Sequence, residues 1–260
     1  MKPTTRLLAP GFLKRSLEEL KRYTNIVIKQ ETIYGPSGPY ELVNFADPSS
    51  ITACKTMSDV DIGGFSEVAL DHVPGSNDEP AHARFHGSIS VELPPDRPEV
   101  HRTGYAAWRT KDRPPSIFGK SLWDIDPYTY VALRVKSDGR KYFVNVQTES
   151  IVPTDIHQHR LYTRKPGQWE TVLIKWNDFV RTNHGVVVEP QSEMLRQRVR
   201  TIGIGSIDRL PGPFDLCIGR IWATNKLTEE ELREDDRLDQ NIPWKGDTAE
   251  GTQRLRRTNH

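Results

Sequence analysis

Residues 130–148 read YVALRVKSDGRKYFVNVQT, in which two apolar-rich runs flank the dipeptide Asp138-Gly139. Valine, tyrosine and phenylalanine at alternate positions are typical of strands with one buried face. An Asp-Gly pair between two such runs indicates a tight turn, because glycine readily adopts the positive φ that these turns require. We therefore predict an antiparallel hairpin of Tyr130–Lys136 and Lys141–Thr148, with Ser137–Arg140 as its turn.

Alternation of the same kind recurs on both sides of this stretch, and prolines crowd the connections between the runs. Further strands are predicted at Glu41–Phe45, Ile51–Met57, Ser66–Asp71, Ala83–Leu93, Gly104–Arg109, His159–Tyr162, Glu170–Lys175, Arg200–Gly205 and Phe214–Ala223. Brief helical patterns occur at Asn177–Val180 and Ser192–Arg198. Short strands without long helices between them argue against a parallel sheet. We predict an all-β domain over residues 40–226 that closes as a β-sandwich or jelly roll.

The N-terminal segment, residues 1–35, has a helical rather than an alternating pattern. One apolar stripe has a basic flank: Leu13, Leu17 and Leu20 form the stripe, with Lys14, Arg15, Lys21 and Arg22 beside it. We predict an N-terminal amphipathic helix. The segment Gly35–Pro39 separates it from the β-sandwich, because its glycines and prolines cannot continue a helix. Three interpretations stay open: a helix packed on the domain behind it, a helix that binds a membrane surface or a partner, and a residual targeting segment.

The C-terminal segment, residues 227–260, is rich in charge. Thr228-Glu229-Glu230-Glu231 has the pattern of a capping box and predicts a short charged C-terminal helix that runs to about Leu238. The remaining residues are polar and are expected to form a surface tail or to be disordered.

Composition argues against several classes of function. The chain has 36 Lys+Arg against 35 Asp+Glu, a net charge of +1, which gives no field for non-specific nucleic-acid binding. Its longest apolar runs are Tyr105–Trp108 and Tyr130–Leu133, far below the roughly 20 residues of a transmembrane helix. Two cysteines, Cys54 and Cys217, are too few for a disulfide framework and are expected to be small buried hydrophobes.

Candidate catalytic and metal-binding residues are few. Asp59 and Asp61 could form a carboxylate pair, but beside Gly63-Gly64 turn-forming aspartates are favoured. His157 and His159 could hold a metal from one strand face, and a solvated strand end is the favoured alternative. Because no P-loop, dinucleotide fingerprint or nucleophile elbow occurs, we expect no enzyme activity, no cofactor and no metal site.

Two further patterns have structural and functional interpretations. Gly203-Ile204-Gly205 within a predicted strand indicates a close approach of neighbouring backbones rather than a nucleotide site. Aromatic side chains exposed on a strand face would suit a carbohydrate-binding module, although core positions are more typical of them. The tryptophans available for that role are Trp108, Trp123, Trp169, Trp176 and Trp222.

Seven blocks between Met57 and Ala223 resemble, in order, the motifs of the complex I intermediate-associated protein 30 family. The blocks are Asp59–Ser66 for D-x-x-x-G-G-x-S, Phe85–Ser90 for F-x-G-x-(I/V)-S, Gly104–Arg109, Arg134–Tyr142 around D-G-R-x-Y, Pro166–Val172 for P-G-x-W-x-x-V, Trp176–Phe179, and Ile202–Ile204 with Pro211–Ile218. In addition, Gly11–Ser16 resembles a block found in fungal members.

The resemblance implies a galactose-binding-domain-like fold, shared with carbohydrate-binding modules. It also implies a non-catalytic assembly factor of mitochondrial respiratory complex I, which binds membrane-arm assembly intermediates and other assembly factors. The expected location is the matrix, peripherally associated with the inner membrane. The family pattern assigns no catalytic residues, and a carbohydrate-binding module of the same sandwich fold is the alternative.

Protein–protein contact requires apolar anchors ringed by polar residues. The candidates for partner binding are Leu13, Leu17, Leu20, Phe65, Ile117 and Phe118. Phe118 follows two prolines in a segment without a strand pattern. It is therefore either tucked under its loop, the favoured interpretation, or offered to a partner.

Overall fold

The computed structural model describes residues 11–28, 36, 38–77 and 79–227 of the chain. One α-helix, α1 (Phe12–Ile28), precedes the strands. The strands are β1 (Tyr40–Asn44), β2 (Cys54–Ser58), β3 (Glu67–Val73), β4 (His82–Ile89), β5 (Ala106–Thr110), β6 (Tyr130–Ser137), β7 (Tyr142–Thr148), β8 (Asp155–Leu161), β9 (Trp169–Lys175), β10 (Val180–Asn183), β11 (Val186–Val187), β12 (Val199–Ser206) and β13 (Gly212–Thr224). The predicted C-terminal helix lies outside the described residues.

Within these ranges the strands form two antiparallel sheets that pack face to face. The first sheet has the order β3-β4-β13-β6-β9, and β1 also pairs with β13. The second sheet has the order β11-β10-β8-β7-β12-β5-β2. Neighbours in each sheet are mostly far apart in sequence, as in a jelly roll. The predicted all-β sandwich is therefore confirmed.

The core consists of side chains at alternate positions along the strands, which point inward between the two sheets. The ring centroids of Phe85 on β4 and Tyr142 on β7 lie 6.4 Å apart, which joins the two sheets. Near one end Phe45 meets Trp108 edge to face at 5.4 Å. All four side chains are fully buried, and burial of each contributes about 1.5–3 kcal/mol.

The hairpin predicted around Asp138-Gly139 is wrong. β6 pairs with β13 and β9 in the first sheet, whereas β7 pairs with β12 and β8 in the second. The turn therefore carries the chain from one sheet to the other. Asp138 anchors it, because its carboxylate accepts hydrogen bonds from the Tyr142 hydroxyl at 3.1 Å and from the Asp215 amide of β13 at 2.8 Å.

Other boundaries differ for local reasons. Pro48–Ala53 forms a 3₁₀ turn where a strand was predicted, because the Asp47 carboxylate accepts from the Ser49 amide and caps it. The pattern Asn177–Val180 predicted a helix but contains only the end of a 3₁₀ turn before β10. Both β10 and β11 were missed, since they are short and have little alternation. None of the described helices is long and apolar enough to cross a membrane.

Candidate functional site

The first turns of α1 lie against the loop that follows β5. Phe12 and Ser16 are buried, one helical turn apart. The Ser16 hydroxyl accepts a hydrogen bond from the Ile117 amide at 3.1 Å and donates to the Phe12 carbonyl at 2.9 Å. The helix is thus fixed to the loop that follows β5.

The leucine stripe of α1 faces away from that contact. Leu13, Leu17 and Leu20 are 77%, 52% and 49% exposed. The first interpretation of the helix is therefore correct in that α1 packs on the domain, but the packing uses Phe12 and Ser16 instead of the stripe. A one-residue offset around the helix, about 100°, separates Ser16 from Leu17 and decides which side is buried.

The neighbouring loop adds two exposed apolar residues. Ser116 and Gly119 exchange backbone hydrogen bonds of 2.9 and 3.1 Å, and this tight turn presents Ile117 and Phe118 at its tip. Ile117 is 59% and Phe118 49% exposed, so neither side chain is fully buried under its loop. We define the helix–loop surface as Leu13, Leu17, Leu20, Ile117 and Phe118.

Phe65 is exposed as well, at 51%, but it lies at the opposite end of the sandwich. β2 and β5 pair so that Ser58 lies opposite Ala106 and Cys54 opposite Thr110. Phe65 sits beyond the Ser58 end, whereas Ile117 follows Thr110. The five residues of β5 separate the two ends by about 16 Å, so Phe65 is not part of the helix–loop surface.

A buried carboxylate organises the end where Phe65 lies. Asp59 has no solvent exposure and accepts hydrogen bonds from the Ser66 amide at 2.9 Å, the Ser66 hydroxyl at 2.8 Å and the Gly104 amide at 2.6 Å. It thereby ties the segments before β3 and β5 together. Asp61 is exposed, and the predicted role of Asp59 in a turn is confirmed. We call Asp59, Ser66 and Gly104 the Asp59 network.

The two histidines of β8 have unequal surroundings. His157 is only 4% exposed, so a solvated strand end is the wrong interpretation for it. Burial lowers the pKa of His157, and the nearby Arg181 charge lowers it further. His159 packs its ring on Phe179 at 5.6 Å and contacts the Arg160 carbonyl through Nδ1 at 2.7 Å. In the described part of the chain, no three His, Cys, Asp or Glu side chains group as metal ligands.

The tryptophans and cysteines belong to the interior. Of the described tryptophans, Trp108, Trp123, Trp169, Trp176 and Trp222 are all buried. Exposed rings of the kind that a carbohydrate-binding face requires are therefore not supplied by these five residues. Burial raises the pKa of the Cys54 and Cys217 thiols to about 11. Gly203 marks a close strand approach, because a Cβ there would lie 2.1 Å from the Trp108 carbonyl oxygen.

The β-sandwich matches the model of a known protein family. The family model described as complex I intermediate-associated protein 30 matches residues 43–218, which span β1 to β13. The chain belongs to this family. The match includes Phe65, Ile117 and Phe118, whereas α1 lies outside it.

Relatives of the complex I intermediate-associated protein 30 family share much of the sequence. The Neurospora crassa protein named "Complex I intermediate-associated protein 30, mitochondrial" is 56% identical over 254 residues, 91% of this chain and 91% of its own length. The Drosophila melanogaster protein of the same name is 25% identical over 226 residues, 83% of this chain and 75% of its own length.

A solved structure shows the same architecture. The family 11 carbohydrate-binding module of the cellulosomal cellulase Lic26A-Cel5E of Clostridium thermocellum superimposes with a TM-score of 0.52. It is 14% identical and covers 75% of this chain and 98% of the module. At this identity the likeness concerns the fold alone.

Proposed function

We propose that this protein is a non-catalytic assembly factor that binds membrane-arm intermediates of mitochondrial respiratory complex I. The observation that carries the proposal is membership of the family whose 56% identical Neurospora crassa relative is named for association with complex I intermediates. Other assembly factors are further expected partners. We place the protein in the matrix, peripherally on the inner membrane, where membrane-arm intermediates are accessible.

The helix–loop surface is the proposed contact with the intermediate. α1 and the loop after β5 together contribute five large apolar side chains, each about half exposed or more. Contiguous exposed apolar groups of this kind are unfavourable in water and are typical of interaction sites. Charged residues flank the leucines, with Lys14, Glu18 and Lys21 all exposed, and give the polar rim that an apolar anchor requires.

Phe65 is proposed as a second, separate contact. Val60, five residues earlier in the chain, is also an exposed apolar side chain, at 58%. Since the two ends are far apart, a partner that reaches both would have to extend along the sandwich.

Binding rather than catalysis agrees with how the candidate catalytic groups are used. The Asp59 carboxylate is occupied by three hydrogen bonds from within the fold. The pKa of His157 is lowered by burial beneath the loop that contains Ser192. Both side chains therefore serve the structure, and neither lines an open cleft.

The test is co-purification from detergent-solubilised mitochondria that express tagged variants. Leu13, Leu17 and Leu20 are replaced together by serine in one variant, and Ile117 and Phe118 in a second. The matched control replaces Leu93 and Leu210, 51% and 55% exposed elsewhere on the sandwich, by serine. We expect complex I membrane-arm subunits to be recovered at least tenfold less with the first two variants, since hot-spot residues contribute about 2 kcal/mol or more each.

The control variant is expected to recover the subunits as the unmodified chain does. Absence of every complex I subunit from the unmodified preparation would refute the assembly role. Equal recovery with all variants would leave the role intact but refute the helix–loop surface as its contact.

A further inference from the structure

β9 lies at one edge of the first sheet. Among the described strands it pairs with β6 alone. The backbone N–H and C=O groups on its other side therefore have no strand beside them in the described part of the chain. An uncovered edge of this kind can pair with a second chain, and proteins commonly cover it with a helix or a loop.

A groove of about 400 Å³ runs along this edge of β9. It is lined by six consecutive residues of the strand, from Trp169 to Ile174. Successive side chains of a strand point to opposite faces of its sheet, so a groove that touches all six must follow the edge rather than either face. The six residues span about 17 Å. We call this feature the β9 groove.

The walls of the β9 groove combine apolar and basic side chains. Tyr162 and Leu173 line it and are exposed. Arg164 and Lys165, in the loop between β8 and β9, line it as well. Glu170 is the one carboxylate among the lining residues. It is buried and accepts hydrogen bonds from the Arg164 amide at 2.9 Å and the Lys165 amide at 3.1 Å. The charge that the groove presents to solvent is therefore positive.

The end of the described chain leads into the β9 groove. β13 ends beside the start of β6. Asn225 then fixes the chain across that point, because its Oδ1 accepts from the Thr129 amide at 2.8 Å and its Nδ2 donates to the Pro127 carbonyl at 3.0 Å. Leu227, the last described residue, lines the groove. The segment that follows Leu227 therefore starts beside β9.

This segment fits the β9 groove in charge and in length. Residues 228–238 read TEEELREDDRL, with six acidic and two basic side chains and therefore a net charge of −4. This charge is complementary to Arg164 and Lys165. As the short helix that the capping box predicts, the segment would be about 16 Å long, close to the span of the groove. Leu232 and Leu238 supply apolar side chains for the apolar part of the walls.

We propose that residues 228–238 of this chain bind the β9 groove and cover the edge of the first sheet. The acidic side chains contact Arg164 and Lys165, and the leucines pack against Tyr162 and Leu173. The contact is intramolecular, because Leu227 holds the segment beside the groove at an effective concentration far above that of a separate molecule. No residue of the helix–loop surface takes part, so the proposal goes beyond the proposed function and is independent of it.

Hydrogen exchange of β9, measured in the full chain, tests the proposal. Glu230→Lys/Glu231→Lys should speed exchange of residues 169–175 by about fivefold, because two ion pairs at the groove are lost and the segment dissociates more often. Asp247→Lys/Glu250→Lys is the matched control, since it changes the net charge equally but lies beyond residue 238. It should leave the exchange of β9 unchanged.

A charge exchange separates binding of the segment from a general loss of stability. Arg164→Glu/Lys165→Glu should also speed the exchange of β9. Combined with Glu230→Lys/Glu231→Lys, it should restore exchange to within about twofold of the unmodified chain, because the opposite charges again face each other. Failure of the combined variant to restore exchange, or equal exchange in all variants, would overturn the proposal.

Carbodiimide crosslinking, which joins an amine directly to a carboxylate, identifies what lies in the groove. We expect Lys165 to couple to acidic residues of segment 228–238 in the same molecule. In a mixture of isotope-labelled and unlabelled chains, coupling between the two kinds would show that a second copy covers β9 and would overturn the intramolecular contact. If Lys165 couples to no residue of 228–238, the segment is not the occupant.

Discussion

The two ends of the β-sandwich use polar and apolar side chains in opposite ways. At one end the Asp59 network buries a carboxylate with three hydrogen bonds. At the other, the helix–loop surface exposes apolar side chains. The Asp59 network is satisfied within the fold and serves folding. Exposed apolar side chains in neighbouring elements are typical of interaction sites, which supports the proposal that the helix–loop surface serves binding.

The largest expected effect on stability comes from a substitution in the Asp59 network. Asp59→Ala leaves the buried amides of Ser66 and Gly104 without an acceptor, whereas the Ser66 hydroxyl can still donate to the Ser90 carbonyl at 3.2 Å. We expect the free energy of unfolding to fall by about 3–5 kcal/mol. Urea denaturation measures this. Asp61→Ala, at the exposed neighbour, should stay within about 0.5 kcal/mol. A loss below 1 kcal/mol for Asp59→Ala would mean that the network is not essential to the fold.

A smaller loss of stability is expected when a methyl group is added beside the Asp59 network. At Gly64 a Cβ would lie 2.4 Å from Asp59 Cγ, so Gly64→Ala must displace a side chain that is held on three sides. We expect a cost of about 1–3 kcal/mol in urea denaturation. Gly38→Ala is the control, because nothing lies within 4 Å of a Cβ there. Equal stability of the two variants would show that the Asp59 network can yield.

The pH dependence of stability is expected to depend on the buried side chain of His157. Burial lowers the pKa of folded His157, whereas the unfolded residue titrates near its ordinary value of about 6.5. Below that value the unfolded state binds more protons, so the free energy of unfolding should fall as pH is lowered from 7 towards 5. His157→Gln should reduce this slope, and His101→Gln, at an exposed histidine, should not. An unchanged slope in His157→Gln would assign the pH dependence elsewhere.

The smallest effect on stability is expected at the helix–loop surface. Leu13→Ser, Leu17→Ser and Leu20→Ser remove exposed side chains, so each should change the free energy of unfolding by no more than about 0.5 kcal/mol. Phe12→Ala, at the buried residue of the same helix, should instead accelerate hydrogen exchange throughout α1. Comparable exchange in Phe12→Ala and Leu13→Ser would contradict the orientation of the helix.

Much of the β-sandwich could be predicted because burial of one face of a strand produces an alternating pattern in the local sequence. Alternation in Ala83–Leu93 and Phe214–Ala223 marks strands with one buried face, and the structure has β4 and β13 there. The turn at Asp59 was also predicted, from Gly63-Gly64 alone. The partners of Asp59 were not, since Gly104 is distant in sequence and contributes a backbone amide that no side-chain pattern reveals.

The candidate surface was predicted in composition but not in arrangement. Leu13, Leu17 and Leu20 were correctly grouped with one another by helical spacing. That Ile117 and Phe118 join them, and that Phe65 does not, depends on where the loop after β5 leaves the sheet.

By itself the sequence determined most of the strand segments, the apolar side chains that are candidate anchors and, through its motifs, the family. Only the tertiary structure decided that the turn at Asp138-Gly139 joins two sheets and that α1 turns its leucines outward. The reason is physical. The spacing of apolar residues shows that the two faces of a helix or strand differ. It does not show which face packs on the domain or which strand pairs with which. That choice is made by contacts between residues far apart in the chain, whose energies are absent from any local pattern.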